Sequence, residues 1–245
     1  DEYVTKYFWA SEDGSLYTDC WKDGYYIDNQ QQKYYMGSDG AFYTGIHTID
    51  GKQYYFYESG LLAVSRTVSV DGKTYFSDGQ GVLTEVQGNN EWKWIRGGWY
   101  YIKDNQVLVN CVEKIENKYY AFDEYGKMYA GELFTLYTDT ESIQYCANKD
   151  GSLKTNTWVE RYGTWYYFGA DGAGYEGVHT ISGKTYYFEI GEMVTGKIVS
   201  DGQKNYIAQD DGLLVELKND NWTQKNGNWY YQKNGTVLKD CIEKI

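Results

Sequence analysis

Gly45-Ile-His-Thr-Ile-Asp-Gly-Lys-Gln-Tyr-Tyr-Phe56 returns as Gly177-Val-His-Thr-Ile-Ser-Gly-Lys-Thr-Tyr-Tyr-Phe188, 132 residues later and identical at nine of twelve positions. The chain is therefore an array. Around both copies a shorter theme recurs about every twenty residues: an aromatic pair, a few polar residues, a glycine-containing turn and two or three apolar or Thr positions. A period of this size means units that bury their apolar faces only against neighbours, so length does not set the domain count.

Within a unit, Gly183-Lys-Thr-Tyr-Tyr-Phe-Glu, Ile190-Gly-Glu and Met193-Val-Thr-Gly read as strand, tight turn and strand. Turns such as Ser38-Asp-Gly, Asp71-Gly, Ala170-Asp-Gly and Asp211-Gly supply the glycine that a positive φ requires. No helix longer than a turn is expected. Strand alternation sends one tyrosine of each pair to the core and the other to solvent or the next hairpin. The expected fold class is all-β, a solenoid of about eleven β-hairpin repeats of roughly 20 residues. Their markers, the second aromatic of each pair or its replacement, are Phe8, Tyr35, Tyr55, Phe76, Tyr101, Tyr120, Cys146, Tyr167, Tyr187, Ile207 and Tyr231. Longer steps precede Tyr35, Tyr101, Cys146 and Tyr231, which places extra residues in connecting loops there.

Residues 1–245 are expected to form one continuous array, with near-copies at 24–115 and 157–245. Cys241-Ile-Glu-Lys-Ile at the end matches Cys111-Val-Glu-Lys-Ile, after which another unit starts at Asn117-Lys-Tyr-Tyr. The chain thus reads as a portion of a larger exported protein.

Composition narrows the function. With 29 Tyr, 9 Trp, 28 Gly and no Pro, aromatic rings must build the core, and many are left at the surface. A net charge of -12 repels phosphate backbones and anionic headgroups, so nucleic acid is not an expected partner. No apolar run reaches the ~20 residues of a bilayer span, so membrane insertion is not expected. Cys20, Cys111 and Cys241 each follow an apolar turn exit by four residues, Leu16, Val107 and Val237. They share one slot on separated units and read as buried free thiols rather than bridges. Cys146 replaces an aromatic. His47 and His179 are repeat equivalents without metal-ligand spacing, the Asp-rich turns at Asp13 and Asp210-Asp211-Gly212 lack a calcium-loop ladder, and no metal or cofactor is expected. Nothing resembles a nucleophile elbow, a zinc-protease helix or a phosphate loop, so an enzyme is not expected.

One signature carries binding chemistry. W-x6-W-Y-Y occurs three times: Trp92 with Trp99, Tyr100 and Tyr101; Trp158 with Trp165, Tyr166 and Tyr167; Trp222 with Trp229, Tyr230 and Tyr231. The spacing is read as one indole on a connecting segment and one on the first strand of a hairpin, forming two walls of a groove. Trp92, Trp99, Tyr100, Trp158, Trp165, Tyr166, Trp222, Trp229 and Tyr230 are the candidate ligand-binding residues. The competing reading is that these rings merely pack hairpin on hairpin. Nearby donors and acceptors are Lys93 and Arg96, Glu160 and Arg161, and Gln224, Lys225 and Asn226.

These segments, with Asn117-Lys-Tyr-Tyr-Ala-Phe-Asp-Glu-Tyr-Gly-Lys-Met-Tyr-Ala-Gly, resemble the cell-wall-binding repeats of choline-binding proteins, Gly-Trp, Trp-Tyr-Tyr, then Gly-x-Met-x-Thr-Gly. The G-[IV]-H-T-I-[DS]-G-K-x-Y-Y-F segments resemble the glucan-binding repeats of streptococcal glucosyltransferases and of large clostridial toxins. Together the two variants cover nearly the whole chain. The resemblance implies a non-catalytic β-hairpin solenoid that attaches an exported bacterial protein to a polysaccharide or cell-wall glycan, at the cell surface or outside the cell. Choline on teichoic acid is the alternative ligand, and a structural spacer or protein-interaction array is the second alternative. In the choline-binding family a third aromatic comes from the next unit. Here that slot holds Cys111 or Val112 after Trp99 and Val178 after Trp165, which leaves those cages open on one side. A flat sugar platform tolerates such an opening better than a quaternary ammonium does.

Overall fold

The computed structural model describes residues 6–27, 30–95, 97–138, 141–225 and 227–238, and among them it contains strands and turns but no helix. The backbone divides into two compact units, one of Asp1–Val109 with Glu124–Lys127 and one of Asn110–Asp123 with Met128–Ile245. Each is a stack of antiparallel hairpins. The described residues hold ten, from Cys20–Ile27 with Gln30–Met36 to Asn221–Lys225 with Asn228–Lys233.

The motif is one turn out of phase with its expected reading. Gly177–Ile181 pairs with Lys184–Glu189 about a tip at Ser182-Gly183, and Glu192–Met193 adds only a two-residue third strand. The first half of the motif is thus a strand, and its Ser-Gly or Asp-Gly is the hairpin turn, with both residues at positive φ.

One register places every hairpin. The residue after the marker is the core slot: Met36, Phe56, Ser77 and Ile102 in the first unit, Phe122, Ala147, Phe168, Phe188, Ala208 and Gln232 in the second, all buried. In seven of the ten it pairs with the residue that opens its hairpin, as Gly45 with Phe56 and Gly177 with Phe188; Ser77, Ala147 and Ala208 lie one place beyond the paired strand. This register corrects two markers. In the sixth unit Val112 faces Ala121, so Ala121 and not Tyr120 holds the marker slot. At the start, the bridge Ala10–Leu16 matches Phe56–Leu62, which puts Trp9 rather than Phe8 there.

The residue before the marker is a tyrosine in all ten hairpins. It packs backward. Tyr54 meets Trp21 of the preceding hairpin at 5.1 Å, Tyr100 meets Phe76 at 4.9 Å and Tyr186 meets Trp158 at 5.0 Å. Neither tyrosine of a pair fills the core slot; strand alternation gives that slot to the next residue and leaves the tyrosines as mortar between layers.

Turn glycines set the stacking distance. Gly212 has φ 80°, and a Cβ there would lie 2.3 Å from the Met193 sulfur of the preceding repeat; Gly81 stands likewise over Leu62, at 2.7 Å. The aspartates before these turns are structural: Asp39, Asp171 and Asp211 accept the backbone N–H two residues on. Asp13 does the same for Ser15 and accepts from the Ser11 hydroxyl, which holds its carboxyl down at about 2. The histidines also close turns. His47 stacks on Tyr43 at 3.7 Å and His179 on Tyr175 at 3.8 Å, each with Nε2 2.9 Å from a backbone carbonyl, of Thr44 and Glu176.

Of the longer steps, those before Tyr101 and Tyr231 contain the short third strands Leu83–Glu85 and Leu214–Glu216 and their exits. The other two lengthen a hairpin instead, at Cys20–Met36 and at the tip after Leu133–Tyr137. Cys20 and Cys111 occupy one slot, facing Met36 and Phe122, and are half-buried rather than buried. Cys146 is free and buried, and burial pushes its thiol up. Cys241 lies outside the described residues.

Candidate functional site

The W-x6-W spacing is a cross-strand device. Trp158 on Thr157–Arg161 faces Tyr167, and Trp165 on Thr164–Phe168 faces Glu160, two residues nearer the tip. Both indoles are therefore on the paired strands of one hairpin and share its face; neither is on a connecting segment. Their rings stand 6.3 Å apart at 81°, and the Trp92–Trp99 and Trp222–Trp229 pairs repeat this at 6.4 Å and 88°. Identical register produces identical geometry.

The second unit shows a complete groove. Trp158, Trp165, Tyr186, Met193, Asp210 and Asp211 line a cleft of about 550 Å³. The Trp slot of the following hairpin does hold Val178, facing Tyr187. The third ring comes from elsewhere, from Tyr186, the backward-packing tyrosine of that same hairpin, which lines this groove on the side the sequence left bare. Met193 forms the floor beneath Gly212, and the two carboxylates sit at the rim. Trp222 and Trp229 line a second cleft of about 490 Å³.

The partner tyrosines do not belong to their own grooves. Tyr166 lies on the face opposite Trp165, packed on the cluster of Cys146, Val159 and Phe168, and burial, with Glu192 nearby, raises its hydroxyl. Tyr100 packs with Val86, Ile102 and Val107, and alternation puts Tyr230 on the face away from Trp229. Of the flanking polar groups, Lys93 pairs with Glu91 at 3.4 Å and donates to the Gln87 carbonyl. Arg96 and Asn226 lie outside the described residues.

Two tryptophans of this surface escape the W-x6-W pattern. Trp21 occupies the Trp158 slot, against Tyr35, Tyr54 and Phe56 as Trp158 is against Tyr167, Tyr186 and Phe188. Its hairpin is longer, and Lys33 stands where the second indole would be, so the spacing hid it. Trp94 faces Trp99 across the strands at 5.3 Å. Its signal was plain alternation, Trp92 and Trp94 two residues apart on one strand.

The family of cell wall binding repeats matches residues 47–62, 90–105 and 156–173. Glucosyltransferase-S of Streptococcus mutans is 33% identical over 225 residues, covering 89% of this chain and 15% of that protein. Glucosyltransferase-I of Streptococcus downei is 29% identical over 231 residues, covering 84% and 14%. The chain spans only that small share of the curated relatives it matches. Among solved structures, choline binding protein F of Streptococcus pneumoniae is 22% identical over 97% of this chain and 94% of its own, with a TM-score of 0.40. Three stretches of the chain thus match the family of cell wall binding repeats, and most of its length is similar to one portion of streptococcal glucosyltransferases.

Proposed function

We propose that this chain is a non-catalytic module that attaches an exported bacterial protein to a polysaccharide, a glucan or a cell-wall glycan, through its tryptophan grooves. The observation that carries this reading is the same indole pair presented three times, with Trp165 and Trp229 each more than two-fifths exposed. A hexopyranose lays its C–H face on such an indole, and carboxylates like Asp210 and Asp211 accept from its hydroxyls. Several weak sites on one chain suit a polymer, because each contact made raises the effective concentration for the next. The match to the family described as a cell wall binding repeat and the similarity to glucosyltransferases support the same reading, and with it a location at the bacterial surface or outside the cell.

A second reading has its own observation. Three rings at Trp158, Trp165 and Tyr186, a methionine and two carboxylates form a box that would hold a quaternary ammonium such as choline. Tryptophan fluorescence separates the two. We expect quenching by an α-glucan at concentrations where choline does little, and its reduction by about tenfold in affinity in Trp165→Ala. Saturation by choline alone would favour the second reading. Silence toward both would leave a spacer or protein-interaction array.

A further inference from the structure

Two of the three tryptophan hairpins carry an additional exposed aromatic toward the tip, where their siblings are polar. In Glu91–Ile95 with Gly98–Lys103, Trp94 faces Trp99 and is 59% exposed; the equivalent residues are Glu160 facing Trp165 and Gln224 facing Trp229. Trp92, Trp99 and Trp94 thus make a row of three indoles, at 6.4 and 5.3 Å, running along one hairpin face. In the Trp158 hairpin the addition is Tyr162, in the tip turn between Arg161 and Thr164. It is fully exposed and holds φ at 54°, where an L side chain is disfavoured and a bulky one unusual. The matching tip positions elsewhere hold Asp50, Asp71, Glu116 and Ser182. Neither ring is there to fill a core.

We infer that Trp94 and Tyr162 are second stacking platforms that take the next ring of a neutral glucan chain already seated on Trp99 or Trp165. Trp94 lies across the strands from Trp99 at 5.3 Å, and Tyr162 stands two residues past Glu160, the partner of Trp165, roughly 7 Å toward the tip at a rise of about 3.3 Å per residue; both separations are about the span of one sugar unit along a chain. Aromatic faces without added charge suit a neutral polymer, and the net charge of -12 disfavours an anionic one. A single headgroup such as choline would gain nothing from them. The Trp222 hairpin carries Gln224 where the first hairpin has Trp94.

This inference rests on the polysaccharide reading, and one set of titrations tests both. α-1,6-linked gluco-oligosaccharides of increasing length and a soluble dextran are titrated by calorimetry into the intact chain, Trp94→Glu, Tyr162→Asn and Tyr162→Trp. Affinity of the native chain is expected to rise from disaccharide to longer chains. Trp94→Glu and Tyr162→Asn each weaken the longer ligands by about five- to tenfold and leave the disaccharide unchanged, while Tyr162→Trp retains long-chain binding. Asn tolerates the left-handed turn, so Tyr162→Asn keeps or raises the Tm even as it loses affinity, which separates a ligand platform from a structural ring. Length-independent binding, or long-chain affinities unchanged in both variants, overturns the inference and leaves the polysaccharide reading standing. No binding of any saccharide by the native chain overturns both.

Discussion

The hairpin of Trp92 and Trp99 and the hairpin of Trp158 and Trp165 begin from the same plan and end differently. Their indole pairs superpose in description, 6.4 Å at 88° against 6.3 Å at 81°, and each inner indole leans on its marker tyrosine at 5.0 or 5.1 Å. Beyond the pair they diverge: the first extends along its own hairpin to Trp94, while the second is walled by the following repeat through Tyr186, Met193 and the acidic rim. Strand register alone fixes the pair. What surrounds it depends on single positions outside the repeat consensus.

Removing the support under one pair gives the largest expected effect. Phe188 is fully buried in the core slot and lies 5.8 Å from Trp158, so Phe188→Ala costs about 3–5 kcal/mol. Because repeats contact mainly their neighbours, hydrogen exchange should rise around Trp158 and Tyr186 and stay low around Trp92 and Trp99. Equal loosening of both hairpins would show that the pairs are not independent. Gly212→Ala follows, at about 1–3 kcal/mol, because a β-carbon there drives into Met193 and stands at an unfavourable φ. Its expected sign is a lowered Tm together with a shift in Trp158 or Trp165 emission.

Making the second hairpin resemble the first is a gentler probe. Glu160→Trp would put a third indole opposite Trp165, as Trp94 is opposite Trp99, and is expected to tighten long-glucan binding by up to about tenfold. Unchanged affinity would mean that the row of indoles in the first hairpin does not act as one surface. Acidification has the smallest and least local effect. Hydroxyl, backbone and Lys118 contacts hold the Asp150 carboxyl below its usual range, and Ser11 and Ser15 hold Asp13 at about 2. A depressed folded-state value contributes stability that is present above the unfolded value of 3.8 and lost as pH falls through the folded one. The Tm should therefore decline between about pH 4 and pH 2, and Asp150→Asn should remove part of that decline.

Much of the fold was legible because it is written in a repeating local code. Paired aromatics, Asp-Gly turns and the 132-residue duplication give hairpins, their period and their all-β class. The phase was harder. Two glycine turns per unit compete for the hairpin, and only pairing shows that Ser182-Gly183 is the main tip and Ile190-Gly191 the minor one. Runs of aromatics likewise blur the marker by one place, as at Tyr119-Tyr120-Ala121, where a one-residue slip would exchange the two faces.

For the grooves, sequence spacing was enough to find Trp92, Trp99, Trp158, Trp165, Trp222 and Trp229 as pairs, since a fixed hairpin register converts spacing into proximity. It assigned Tyr100, Tyr166 and Tyr230 to those pairs because they adjoin them in the chain, although alternation turns each to the opposite face, where Tyr100 and Tyr166 pack on the preceding repeat. The sequence by itself thus determined the repeating unit, its strands and the indole pair, all of which depend on contacts within a few residues. Only the tertiary structure decided which ring closes a groove, because Tyr186 reaches Trp158 by stacking of successive hairpins at a distance set by Gly212 and Met193, and no local spacing encodes that distance.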